Sequence, residues 1–219
     1  MNRILQAVKL DFYTAKSTLR LSAVTFLASI AIGAVTKQPV FTAMFVMVFA
    51  VFLGGNVFST HEKNHSEKLY GILPLKKSEM IAGRYLYGLA IGAANMVIAG
   101  VLAWAVAGVR NINTNSLLLW SALALAFIYY CFAMGVSYPI YFKFTFAKAY
   151  VFTMLPMYLI VLFLMLLNRR TDFASGLSSL STFFTAHQYL IPVCGILAGL
   201  ILLTVSAVIA NLIYTRKEI

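Results

Sequence analysis

The chain has 219 residues, 62% of them hydrophobic and 11% charged, with a formal net charge of +11. A soluble domain carries about 25% charged residues, so this composition excludes a water-soluble globule and indicates a polytopic membrane protein with one membrane domain. The positive charge does not signal nucleic acid as a partner, because the basic residues sit at the ends of apolar runs, where they set orientation in a bilayer.

Residues 1–19 place Met1, Leu5, Val8, Phe12, Ala15 and Leu19 on one helical face, with Arg3, Gln6, Lys9 and Lys16 elsewhere. This predicts an N-terminal amphipathic helix over 1–18 lying in the membrane interface, since Lys9, Asp11 and Lys16 are costly in hydrocarbon. The other reading is the first turns of a long membrane helix. No apolar stretch of signal-peptide type precedes residue 20, so a cleaved leader is not expected.

Six apolar runs follow, at about 19–36, 40–58, 80–108, 117–142, 149–167 and 189–214, each near the roughly 20 residues that cross a bilayer. Pro139 lies near the end of the fourth run, and Pro156 marks a kink position in the fifth. Cys131 and Cys194 fall inside apolar runs, without metal or disulfide spacing, and read as small buried hydrophobes. The predicted fold is therefore all-α, with six transmembrane helices. Thirteen of the seventeen Lys and Arg residues fall on the side holding both termini and the link between the second and third runs. That asymmetry places this side in the cytoplasm and the 168–188 loop outside. The loop contains Leu177, Leu180, Phe183 and Phe184, which fit either a short helix on the outer leaflet or a plain surface loop.

Within 21–36, 38–60, 85–109, 111–142, 149–168 and 188–215 there is no Asp, Glu, Lys, Arg or His. Proton-driven carriers bind and release their coupling ion on such groups at membrane depth, so a carrier of that kind is disfavoured. The sequence also contains no GxxxxGK[ST] phosphate loop, so energy from ATP would have to enter through another chain.

The one long polar stretch is 59–87. Leu69, Ile72 and Leu73 recur there at helical spacing and are followed at once by Pro74, which predicts a short amphipathic helix stopped by proline. Its apolar face suits docking into a groove on a partner. The plainer alternative is a face resting on the membrane or on its own bundle. The same stretch holds His61-Glu62-Lys63-Asn64-His65, a match to the HExxH zinc motif. A third ligand is required and no span offers one. Asp172 and His187 fall on the opposite side. Glu67, Glu79, Glu218 and Asp11 share the side but stand in no recognisable ligand context. The plainer reading of HEKNH is a solvated polar loop. Two GxxxG pairs, Gly88–Gly92 and Gly195–Gly199, permit close helix approach, most simply within the chain.

The six-span layout, and above all Glu67-Lys68-Leu69-Tyr70-Gly71-Ile72-Leu73-Pro74-Leu75-Lys76-Lys77-Ser78-Glu79-Met80-Ile81 followed by Arg84-Tyr85, resembles the ABC-2 type transport permeases. Nearest in length and layout is the small two-component subgroup that exports amphipathic peptides or acts in lantibiotic immunity. The resemblance implies the membrane subunit of an ATP-binding cassette exporter, itself not an enzyme, in the cytoplasmic membrane. The segment 59–79 would be a coupling helix docked in a separate ATPase subunit, which would hold the ATP and magnesium. Leu69, Tyr70, Ile72 and Leu73 would make the apolar contacts, Glu67, Lys68, Lys76 and Lys77 the polar ones, and Pro74 would brace the helix. A second permease chain would complete the pair. The substrate expected is apolar or amphipathic, peptides included. The alternatives are a membrane-embedded zinc metalloprotease using HEKNH, or a non-transporting immunity or sensor subunit.

Overall fold

A computed structural model describes residues 3–63, 76–112, 116–144 and 190–215, together with 146, 148, 149 and 152. Among the described residues the regular structure is all helical, with five long helices: α1 (Arg3–Thr36), α2 (Pro39–Lys63), α3 (Lys77–Val109), α4 (Ser116–Lys143) and α5 (Leu190–Thr215). Four of them, α2 to α5, contain apolar stretches of 23 to 32 residues, long enough to cross a membrane. The fifth predicted span and the 168–188 loop lie outside the described residues.

The helices start and stop for local reasons. Pro39 opens α2, where its fixed φ and missing N–H cost nothing. Lys37, at φ 54°, turns the chain between α1 and α2. Asn111, at φ 51°, ends α3 in the left-handed conformation that asparagine tolerates better than most residues. There Ile112 N–H reaches Ala107 O at 3.0 Å and Asn111 N–H reaches Gly108 O at 3.2 Å, the paired bonds of a Schellman end. Within the spans, Thr25, Ser29, Thr36, Thr60 and Thr204 return their hydroxyl protons to carbonyls three or four residues back, so no bare hydroxyl meets lipid at these positions.

Two differences from the sequence reading concern the N-terminal third. Residues 1–18 do not form a helix of their own, because α1 runs unbroken through residue 18 to Thr36. At 1.5 Å per residue its 34 residues extend about 51 Å, well beyond the roughly 30 Å of hydrocarbon. The predicted apolar face also divides: Ala15 and Val8 pack inward, while Leu5 and Phe12 face out. Ala7, Asp11 and Ala15 are 2%, 1% and 1% exposed, whereas Leu5 and Phe12 are 54% and 45% exposed. In lipid no hydrophobic force draws helices together, so close contact selects small side chains and polar pairs. A Cβ at Gly83 of α3 would lie 2.8 Å from the Ala7 methyl, which shows how closely α1 approaches.

α2 touches α1, α3 and α4, and α5 lies mainly on α4. One core cluster joins α2 to α5 through residues such as Met47, Ile81, Leu123, Tyr130, Met134 and Leu203. A second joins α1, α2 and α3 through Ala15, Leu53, Val57, Tyr87 and Ile91. Both GxxxG pairs turn out to be internal seams against α4. A Cβ on Gly92 would meet the Tyr130 ring at 2.3 Å, and one on Gly199 would meet Cys131 Sγ at 3.0 Å. In α4, Cys131 is buried as expected, while Cys194 in α5 is exposed.

Candidate functional site

The region of interest is one end of the bundle, where the first half of α1, the last turns of α2 and α4, the first turns of α3 and the end of α5 meet. It carries most of the described basic residues. Here α2 continues to Lys63 and α3 begins at Lys77. The polar link is therefore shorter than the predicted 59–79 segment: 59–63 belong to α2 and 77–79 to α3. Residues 64–75 lie outside the described residues, and with them Glu67, Lys68, Leu69, Tyr70, Ile72, Leu73 and Pro74. Lys76 is described and exposed, directly ahead of α3. Lys77 opens that helix.

The start of α3 is capped from within. The Lys76 backbone N–H donates to Glu79 Oε2 at 2.9 Å, and the Glu79 and Met80 N–H groups return to Lys76 O at 3.0 and 3.2 Å. A carboxylate in the first helical turn also complements the positive end of the helix dipole. This fixes where the link becomes a helix, eight residues before Tyr85.

The first two residues of HEKNH are engaged in structure. His61 is buried on the last turn of α2, its Nε2 3.0 Å from Asp11 Oδ1 of α1. Asp11, which the sequence reading left without a ligand context, is thus the partner of the motif's first histidine. The adjacent Glu62 turns the other way, and its Oε2 accepts the Phe146 backbone N–H at 2.5 Å. The last turn of α2 is therefore tied on one side to α1 and on the other to the chain beyond α4. His65 lies outside the described residues. Among the described residues no three His, Cys, Asp or Glu side chains are gathered where they could hold a metal ion.

An aromatic cluster closes this end. Phe58 of α2 stacks on Tyr141 with centroids 4.9 Å apart and meets Tyr138 and Phe142 edge-on at 5.0 and 5.2 Å. Phe142 meets Tyr214 of α5 at 5.5 Å, and Tyr141 stacks on Phe146 at 5.1 Å. The Arg84 guanidinium of α3 lies 4.6 Å from the Phe58 ring centre and 5.4 Å from that of Phe142. A planar, weakly hydrated cation can be buried this way where an ammonium would not. Arg84 and Tyr85 thus build the site from four helices. The signal in the sequence was a basic-aromatic pair at the head of a span, which the sequence reading noted only as part of a family pattern.

Above this cluster the polar contacts become neutral. Tyr138 donates to Gly54 O of α2 at 3.1 Å, and Tyr130 to Gly88 O of α3 at 2.6 Å. Ser206 of α5 donates to Gly135 O of α4 at 2.6 Å. Its single proton is thereby used, so the 2.6 Å contact with Tyr85 has the tyrosine as donor. Gly135 stands four residues before Pro139, which has no N–H. The carbonyl that proline strips of its helical donor is served instead from α5.

The chain matches the family model described as "ABC-2 family transporter protein" over residues 7–215. No curated protein and no solved structure matches it. The match takes in α1 from residue 7, the whole of α2 to α5 and both sides of the 64–76 link, and the chain belongs to the ABC-2 family of transporter membrane proteins.

Proposed function

We propose that this chain is the permease subunit of a two-component exporter in the cytoplasmic membrane, with both termini and the 64–76 link in the cytoplasm. The observation that carries the reading is family membership over 7–215 in a chain whose sequence has no phosphate loop of its own. Hydrolysis then belongs to a separate ATPase subunit, which holds ATP and magnesium. That subunit receives the apolar side chains Leu69, Tyr70, Ile72 and Leu73, flanked by Glu67, Lys68, Lys76 and Lys77 and braced by Pro74. A second permease chain completes the pathway. The cargo class that best suits spans rich in Phe, Met, Leu and Tyr is an apolar or amphipathic molecule, peptides included.

The architecture of the basic end supports this reading. The link joins two helices, α2 and α3, that both enter the same aromatic and ionic cluster, so a push on the link reaches α1, α4 and α5 through side chains in contact. His61 and Glu62 fit as parts of that cluster, bound to α1 and to Phe146.

The test is purification of the tagged chain in mild detergent from its native membrane, followed by an ATPase assay. The expected result is a stoichiometric ATP-hydrolysing partner that is lost from Leu73→Asp and Tyr70→Asp and retained by Glu62→Gln. Purification without an ATPase but with zinc bound one to one, abolished by Glu62→Gln or His61→Ala, would overturn the reading in favour of a metalloprotease. Neither partner nor metal would leave an immunity or sensor subunit.

A further inference from the structure

We infer that Tyr85 and Ser206 are positioning residues that make the Pro139 break in α4 a hinge, through which movement of the start of α3 is passed to α4 and α5. The inference rests on the permease reading above and adds to it the path of force inside the membrane domain.

Proline at 139 removes one rung of the α4 ladder and leaves the Gly135 carbonyl without an in-helix donor. A helix so interrupted bends more easily there than elsewhere, provided the freed carbonyl is satisfied. It is satisfied by Ser206 at 2.6 Å, and Ser206 is held in register by the Tyr85 hydroxyl at 2.6 Å. Three helices therefore share one neutral hydrogen-bonded line, with its origin on α3 eight residues past the start of that helix. The break also marks a change of environment along α4, with Tyr138 beside it belonging to both, edge-on to Phe58 and bonded to Gly54 O. Beyond it, Tyr141 and Phe142 belong to the aromatic cluster at the basic end. Before it, Tyr130 and Met134 sit against Gly92 and Gly54, with no room for a Cβ between them. The last turn of α4 is built to move with the basic end, and the rest is built to stay with the bundle. The line from Tyr85 meets α4 at the junction.

Cysteine labelling tests this in the detergent-purified complex with its co-purified ATPase, with and without ATP plus vanadate. The near reporter is Ser78→Cys, on the first turn of α3, in a Cys194→Ser background. The remote reporter is native Cys194 of α5. In the wild-type chain the maleimide labelling rate at both reporters should change at least threefold on nucleotide trapping. Ser206→Ala should keep the near response and reduce the remote one at least fivefold, Tyr85→Phe should do so more weakly, and Ser206→Thr should keep both. Adding Pro139→Ala to Ser206→Ala restores the helical donor, so thermal stability should return while the Cys194 response stays lost. A Cys194 response that survives Ser206→Ala, that is absent in the wild-type chain while the near reporter responds, or that returns together with stability in the double variant would overturn the hinge and leave the permease reading intact. A wild-type near reporter blind to nucleotide would overturn the permease reading and the hinge with it.

Discussion

The middle of the bundle and its basic end are held together by different chemistry. In the middle, tyrosine and serine hydroxyls land on glycine carbonyls, and glycines leave just enough room for the rings that cross them. At the basic end the contacts run through the tips of polar side chains: His61 with Asp11, Glu62 with a backbone N–H, and Arg84 with two rings. Contacts through a backbone carbonyl and a missing Cβ tolerate displacements of a fraction of an ångström. Contacts between the tips of long side chains tolerate more, because rotamers can follow. The difference marks the middle as the rigid frame and the basic end as the part that can be moved against it.

The sharpest way to break this contrast is to fill a glycine. Gly92→Val should cost about 3 kcal/mol or more, since over-packing a filled site costs roughly 1–3 kcal/mol and here the neighbour is a buried ring held by its own hydroxyl. The variant should fail to accumulate in the membrane or lose more than 10 °C of thermal stability in detergent. Gly108, where an added Cβ meets nothing within 4 Å, should accept alanine with a neutral or slightly stabilising effect.

Next in size is removal of one member of the buried pair at the basic end. Asp11→Leu removes the 3.0 Å contact at His61 Nε2 and should cost about 2 kcal/mol, within the range for losing a buried hydrogen bond to a carboxylate. Asp11→Asn, which can still accept from the imidazole, should cost less than half of that. The exchanged pair Asp11→His with His61→Asp should recover most of the loss in a double-mutant cycle. Recovery by exchange is expected only of contacts at the movable end. No exchange should rescue Gly92→Val.

These two sites also show what a single sequence can and cannot disclose. The spans Pro39–Lys63, Lys77–Val109 and Ser116–Lys143 were legible because long apolar runs of about twenty residues have few other uses. The two GxxxG pairs were legible as close-approach sites, but α4 as their common neighbour was not. Which face of α1 enters the bundle could not be read from hydrophobicity, the usual guide to burial. In a membrane that rule loses force, and Ala7, Asp11 and Ala15 outcompete Leu5 and Phe12 for the inside. Asp11 and His61 stand fifty residues apart, and no local pattern joins them. The service that Ser206 gives to the Pro139 break was beyond reach for the same reason, although the proline itself announced an orphaned carbonyl four residues earlier.

A smaller effect separates the two regions by charge. Arg84→Lys keeps the charge but loses the planar face laid against Phe58 and Phe142, and should cost about 1 kcal/mol, because an ammonium keeps part of a contact worth about 2 kcal/mol when desolvated. Tyr130→Phe in the middle should cost about 0.6 kcal/mol, the average for an interhelical hydrogen bond in a membrane, since the Gly88 carbonyl keeps its place in the helix ladder. High salt should leave the Tyr130 loss unchanged.

The smallest expected effect lies where the link becomes α3. Glu79 accepts the Lys76 N–H and sits in the first turn, so Glu79→Ala removes one capping bond and one favourable charge at an exposed helix end. Such losses run to roughly 0.5–1 kcal/mol. Glu79→Gln keeps the acceptor and drops only the charge, so it should cost a few tenths of a kcal/mol, within the low end of exposed dipole effects. Amide hydrogen exchange read at 76–82 is the fitting measurement, because the loss should stay local. Exchange should quicken in Glu79→Ala for that first turn and remain unchanged at Tyr85, which the Ser206 contact holds from α5. Quickening that spread past Tyr85 would mean the frame begins later along α3 than the hydrogen bonds place it, and the boundary between the movable end and the rigid middle would move with it.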